Sequence, residues 1–312
     1  MLKFRTPDKV YFKKGCLPVA LNELKYELKK SRALIVTDSN LYRNGYVDIL
    51  TNLLNEIGVS YSVFSDSCAL ILTSNPPENG YSAIDEIEGC YVSDSAKPNL
   101  FTVQAGAGIA RKQEPDILIA FGGGSVIDAT KVIKLLYENP DANIPAIAEG
   151  ETAFPPKKGK AYFIAIPTTS GKGSEVSPFA EIAEVDKTYQ LASYELLPDM
   201  AIIDADVMAT MPPELTAKSG ISALYNAVYA NISSLSTDYT EGLAERAMDL
   251  IFRYLPDAVA NGNNMQAREK MATASVMAGM AFGNACLGAE CGEIPAELSG
   301  KIDSLKNTVG LK

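Results

Sequence analysis

The chain has 312 residues and a 47% hydrophobic content, enough for two lobes or one large α/β unit with a full core. Its 38 acidic side chains outnumber 28 basic ones, for a net charge of −10. No basic face offsets that balance, which excludes a general binder of nucleic-acid backbone. The absence of histidine removes the usual near-neutral acid–base group, leaving proton transfer to a perturbed carboxylate, lysine, tyrosine or cysteine, or to water.

No apolar run is long enough to span a bilayer, and residues 1–7 (MLKFRTP) lack the apolar stretch of a signal peptide, so no membrane role is expected. The five cysteines, Cys16, Cys68, Cys90, Cys286 and Cys291, are odd in number and mostly scattered. That pattern predicts reduced thiols and a cytoplasmic protein.

In chain order, residues 33–37 (ALIVT) read as a buried parallel strand ending at Asp38. Leu50, Leu53, Leu54 and Ile57 give helical spacing, and residues 61–64 a second strand. Residues 67–97 carry Asn75-Pro76-Pro77-Glu78-Asn79-Gly80 and little periodicity, which predicts an inserted loop. Residues 117–121 (ILIAF) form a strand followed at once by three glycines, and Val126, Ile127, Val132, Ile133 and Leu136 then have helical spacing. Residues 162–166 (YFIAI) give another strand. Strands alternating with helices imply a mainly parallel sheet covered on both faces. After Pro213 the character changes to three helical patterns, over residues 214–234, 238–254 and 265–287. Residues 301–306 suggest an exposed terminal helix. The expected organisation is an α/β domain over residues 1–204 and a helical domain over 205–312.

Two loops carry the chemistry. In Gly122-Gly123-Gly124-Ser125, followed by Val126-Ile127-Asp128, a buried strand turns through glycine into a helix. Such a turn presents N–H donors and a helix N-terminus to a pyrophosphate. It is not a G-x-G-x-x-G fingerprint, because position 127 is isoleucine. It is read also as a tight turn that binds nothing. Asp38, closing the first strand, is placed to accept from both ribose hydroxyls and to repel a 2′-phosphate; it is equally placed to be a helix N-cap. The third feature, Thr168-Thr169-Ser170-Gly171-Lys172-Gly173-Ser174-Glu175, gathers hydroxyls, glycine N–H groups and a lysine after another strand. It reads either as part of a cofactor phosphate or ribose site, or as a polar surface turn. Its spacing is not that of a P-loop.

These residues, with residues 7–15 (PDKVYFKKG), GGGSVIDATK, residues 166–178, residues 197–204 (LPDMAIID), residues 254–256 and residues 278–282, resemble the iron-containing (group III) alcohol dehydrogenases. The resemblance is strongest to the alcohol dehydrogenase half of bifunctional aldehyde–alcohol dehydrogenases, and it covers residues 1–66 and 98–291. It implies a dehydroquinate-synthase-like fold, with an N-terminal nucleotide lobe, a C-terminal helical lobe and a cleft between them. It also implies NAD(H) and the interconversion of a small alcohol and its aldehyde. Mapped onto this chain, the cofactor residues are Asp38, Gly122, Gly123, Gly124, Ser125, Asp128, Thr168, Thr169 and Ser174. Asp128 and Lys131, on the helix, either touch the ligand or order the glycine turn.

The family also implies a divalent metal, iron or zinc, held by an aspartate and three histidines. By the flanking residues, Ser222 stands where the aspartate belongs, Asn226 where the first histidine belongs and Cys291 where the second belongs. The last histidine has no counterpart before Lys312. Neutral serine and asparagine are weak ligands, and one thiolate does not replace three strong donors. The expectation is an NAD-binding relative, a pseudoenzyme candidate whose metal chemistry is lost or weakened. Lys172, where the family has a small polar residue, is expected to pair with a cofactor phosphate or to crowd it. A shortened helical lobe is expected to expose apolar surface on residues 214–287, open to a second copy or a related subunit. Two other readings remain: an active oxidoreductase with an unusual metal or none, and a non-catalytic scaffold.

Overall fold

The computed structural model describes residues 3–65, 98–184 and 187–311. The inserted loop expected over residues 67–97 lies outside the described residues. The first part of the chain gives β1 (Lys9–Phe12), α1 (Leu17–Tyr26), β2 (Arg32–Thr37), α2 (Ser39–Arg43), α3 (Asp48–Ile57), β3 (Ser60–Ser65) and α4 (Leu100–Gln113). Then come β4 (Ile117–Gly122), α5 (Gly124–Glu138), α6 (Ile144–Ala148), β5 (Tyr162–Pro167), β6 (Phe179–Ala183), β7 (Thr188–Ala192) and β8 (Met200–Ile203). Four helices follow: α7 (Pro213–Asn231), α8 (Asp238–Ala260), α9 (Met265–Ala285) and α10 (Ala296–Thr308).

Six strands form one parallel sheet in the order β1-β8-β5-β4-β2-β3. Alternating side chains along β2 and β4 feed two cores. Ile35, Ile117, Ile119 and Phe121 face α1 and α3, while Leu34, Val36, Leu118 and Ala120 face α4 and α5. Burial on both faces is why these strands read as unbroken apolar runs. β6 and β7 make a separate antiparallel hairpin. The turn between β1 and α1 is fixed by Asp204, just past β8, which accepts from the N–H groups of Gly15 (2.8 Å) and Leu17 (3.0 Å).

The helices after Pro213 build a third core rich in alanine, from α7, α8 and α9. α9 also reaches the sheet lobe, where its Ala272 and Val276 pack with Val176 and Ile203. Two expectations need correction. α8 does not stop at Tyr254 but runs through Pro256 to Ala260. Leu255 and Ala258 are fully buried there, and that packing outweighs the hydrogen bond Pro256 removes. The terminal helix is longer than residues 301–306 and is docked, with Ile302, Leu305 and Val309 buried against the helical core. Large exposed hydrophobic side chains on α7, α8 and α9 are, among the described residues, Leu215, Tyr229 and Tyr239. No helix of the described residues is long and apolar enough to cross a membrane.

Candidate functional site

The order in which the chain adds strands reverses between β2 and β4. From β2 the chain proceeds outward to β3; from β4 it proceeds through α5 to β5 on the other side. In open parallel sheets the crevice at the carboxyl ends of such strands is where ligands bind. Asp38 follows β2, Gly122 ends β4 and Thr168 follows β5, so three of the sequence motifs stand side by side along one edge.

Asp38 is the N-cap of α2, its Oδ1 accepting from the Leu41 N–H at 2.8 Å. The N-cap reading of Asp38 is thus realised. Gly123 caps α5, and the N–H groups of the first turn open toward the crevice end of the sheet. Gly122 has a packing reason as well: a Cβ there would lie 2.6 Å from Val126 Cγ2.

Residues 168–174 do not form a polar surface turn. Thr168, Ser170, Gly171, Gly173 and Ser174 are buried, Thr169 is half-buried, and Lys172 is exposed. The Thr168 N–H donates to the Gly122 carbonyl at 3.0 Å, and Thr169 lies against Gly123. On its other side the segment is pressed on the helical lobe. A Cβ on Gly171 would lie 2.7 Å from Ser219 Cβ. Gly173, at φ +66°, would bring a Cβ to 2.5 Å from Gly279 Cα. The loop is thus a wedge between the glycine turn, α7 and α9.

Sequence reasoning missed a cluster of charges beneath this wedge. Asp128 is only 2% exposed. Its Oδ2 accepts from Lys172 Nζ at 3.1 Å and from the Glu181 N–H at 3.4 Å. Lys172 Nζ also donates to Glu181 Oε2 at 2.8 Å. Glu181 comes from β6, whose in-and-out burial was the overlooked signal. Lys131 is buried one turn along α5 and donates to the carbonyls of Ser177 (2.8 Å) and Phe179 (2.6 Å). Burial pulls its pKa down to about 8, opposed by Asp128 and Glu175. Burial pushes the Glu175 carboxyl up to about 7, opposed by Lys131. Asp128 and Lys131 thereby tie α5 to the segment leading into β6.

Residues 79–205 match the description "Iron-containing alcohol dehydrogenase", and residues 216–302 match "Fe-containing alcohol dehydrogenase family, C-terminal". The chain belongs to the iron-containing alcohol dehydrogenase family. The aldehyde-alcohol dehydrogenase of Clostridium acetobutylicum is 41% identical over 92% of this chain and 31% of its own length. The bifunctional aldehyde-alcohol dehydrogenase of Escherichia coli is 38% identical over 92% of this chain and 30% of its own length. The chain spans about a third of the length of these curated relatives. A solved 1,3-propanediol oxidoreductase superposes with a TM-score of 0.74 at 31% identity, covering 92% of this chain and 67% of that one. The iron-containing alcohol dehydrogenase of Thermococcus thioreducens gives 0.75 at 28% identity, over 91% of this chain and 68% of that one. The parallel-sheet lobe and the helical part are thus the family's fold.

Ser222, Asn226 and Cys291 stand at the positions the resemblance assigns to the family's metal ligands. Ser222, exposed on α7, donates its hydroxyl to the Lys218 carbonyl at 3.0 Å. Asn226 Nδ2 donates to the Lys172 carbonyl at 2.9 Å, so it fastens the wedge. Cys291 is exposed beyond α9, and its neighbour Cys286 has its thiol pushed up to about 12 by burial and by Cys291. Among the described residues no group of three His, Cys, Asp or Glu side chains is placed to hold a metal ion. These donors do not fit iron or zinc. Two other polar side chains are engaged in pairs of their own. Tyr225 accepts from Lys306 Nζ at 2.7 Å, and Lys187 pairs with Glu149.

Proposed function

We propose that this chain binds NAD(H) across the carboxyl ends of β2, β4 and β5, as a family member whose own residues do not support metal-dependent turnover. The observation that carries the reading is the adjacency of Asp38 and the glycine-capped N-terminus of α5 at the point where the strand order reverses. Asp38 takes the adenosine ribose hydroxyls. The first-turn N–H groups of α5, from Gly124 and Ser125, take the pyrophosphate. Thr168, Thr169 and Ser174 line the side toward β5, and Asp128 ties α5 to Lys172 and β6. A curated relative at 34% identity, from Clostridium saccharobutylicum, is named an NADPH-dependent butanol dehydrogenase. Family membership alone therefore leaves the cofactor open, and the choice of NAD rests on the Asp38 charge.

The family reaction is the interconversion of a small alcohol and its aldehyde. That reaction polarises the alcohol oxygen on a metal when one is bound. Ser222 and Asn226 offer neutral groups already engaged with backbone carbonyls, which supports loss of that step here. Isothermal titration calorimetry with NADH, followed by acetaldehyde with and without Fe²⁺ or Zn²⁺ under anaerobic conditions, tests both halves. Binding without loss of absorbance at 340 nm is the expected result. Metal-dependent NADH oxidation would overturn the loss, and absence of binding to folded protein would overturn the nucleotide site.

A further inference from the structure

Resting on the nucleotide site just described, we infer that Lys172 limits the contacts of that site to the ADP-ribose part of the dinucleotide, so that it does not discriminate NAD(H) from ADP-ribose. The argument starts from the order of the strands. β2, β4 and β5 are neighbours, so a dinucleotide with its ribose at the end of β2 and its pyrophosphate at the end of β4 extends its other half over the end of β5. That space is where residues 168–174 stand.

Lys172 crosses it. Its stem lies against the first residue of α5: a Cβ on Gly124 would be 3.0 Å from Lys172 Cδ and 3.1 Å from Lys172 Cβ. Its ammonium is held by Asp128 at 3.1 Å and Glu181 at 2.8 Å. Its carbonyl accepts from Asn226 on α7 at 2.9 Å. One residue thus joins the helix that cradles the pyrophosphate, the β6 strand and the helical lobe. The flanking glycines remove the slack a loop would need to shift, because Gly171 abuts Ser219 and Gly173 abuts Gly279.

The latch resists opening for an electrostatic reason. Asp128 is buried, and its Oδ1 has no hydrogen-bond partner among the described residues. If Lys172 swings out, the carboxylate loses the cation on its other oxygen and is left charged in a poorly solvated place. A pyrophosphate arriving at the α5 N-terminus does not relieve this, since it brings more negative charge. The neutral dihydronicotinamide ring of NADH brings no charge to replace the ammonium, and the delocalised pyridinium of NAD⁺ has no ring N–H to donate to Asp128 and Glu181. The adenosine diphosphate portion reaches its donors at Asp38 and the glycine turn without moving Lys172.

The test uses the whole chain, with ADP-ribose and NADH as probes in calorimetry. The expected result is dissociation constants within about threefold of each other, because the nicotinamide half adds no net contact. Saturation-transfer NMR with NAD⁺ reads the same point directly: adenine ring protons are saturated by the protein and nicotinamide ring protons are not. Lys172→Thr opens the space, and NADH then gains about tenfold or more over ADP-ribose. Where that variant fails to fold because Asp128 is left unpaired, Lys172→Thr combined with Asp128→Asn removes both charges and is read the same way. Wild-type protein that prefers NADH tenfold, or that saturates the nicotinamide protons, overturns the inference while leaving the nucleotide site intact. An unchanged ratio in the variants also overturns it. If neither probe binds folded wild type or variant, the nucleotide site and this inference fall together.

Discussion

The contact between Gly173 and Gly279 is the point at which the wedge meets the helical lobe, and replacing Gly173 by alanine tests it. Two costs add. Gly173 sits at φ +66°, where an L side chain costs about 1–2 kcal/mol. The new methyl would also stand 2.5 Å from Gly279 Cα and 3.1 Å from the Ser275 carbonyl. These are backbone atoms of α9, which is packed against α7 and α8, so the clash is not relieved by turning a side chain. Overpacking of that kind costs about 1–3 kcal/mol. The expected sum is about 2–5 kcal/mol, which for a chain of this length lowers the melting temperature by about 3–8 °C. The reciprocal change, Gly279→Ala, meets Gly173 Cα at 2.7 Å and the Gly173 carbonyl at 2.9 Å. It carries no φ penalty and gains about 1 kcal/mol of helix propensity, so its loss is smaller. Thermal melts followed by circular dichroism at 222 nm suit a chain without tryptophan. A Gly173→Ala protein that melts within a degree of wild type, or one less destabilised than Gly279→Ala, would refute the reasoning.

Other consequences are open to measurement. Asp38→Ser keeps an N-cap for α2 while removing the charge; calorimetry is expected to show weaker NADH binding and a narrowed gap between NADH and NADPH. An unchanged preference would remove Asp38 from the ribose site. Glu175 has a raised folded pKa, so its favourable contribution holds below its ordinary value of 4.5 and is lost as pH rises through about 7. Glu175→Gln should therefore gain on wild type between pH 5 and pH 8 by up to about 3 kcal/mol, seen as a widening difference in melting temperature. The Lys131 pKa, lowered to about 8, opposes this only at higher pH, and a flat difference across the window would contradict the burial argument. Anaerobic incubation with Zn²⁺ or Fe²⁺ followed by gel filtration and metal analysis should leave well under one equivalent bound. A full equivalent, lost on changing Ser222, Asn226 or Cys291, would show that these positions still form a site.

The parts of the fold legible in the sequence were those where burial is symmetrical. ALIVT, ILIAF and YFIAI announce strands because both faces are covered. The β6–β7 hairpin escaped notice because its strands are only five residues each and its pattern is mixed with polar side chains. α4 was hidden by its composition: Gly106, Ala107 and Ala110 pack closely on α5, where a Cβ on Gly106 would lie 2.5 Å from Ile133 Cδ1, so little amphipathic contrast remains. The sequence pattern for α8 ends at Tyr254, just before Pro256, because the local cost of proline is visible in sequence and the compensating packing is not. The same division holds at the site. The glycine turn and Asp38 are local signals. The fastening of Lys172 to Asp128 and Asn226 joins residues far apart in sequence, and no spacing rule brings them together.

The central claim is that the carboxyl ends of β2 and β4 hold a nucleotide. Hydrogen–deuterium exchange with and without NADH tests it at the residues concerned. The account predicts slowed exchange at the end of β2 with the start of α2, and at residues 122–127 around the α5 N-terminus, while the outer helices α8 and α10 are unchanged. Protection confined to other parts of the chain, or none at saturating NADH, would contradict it.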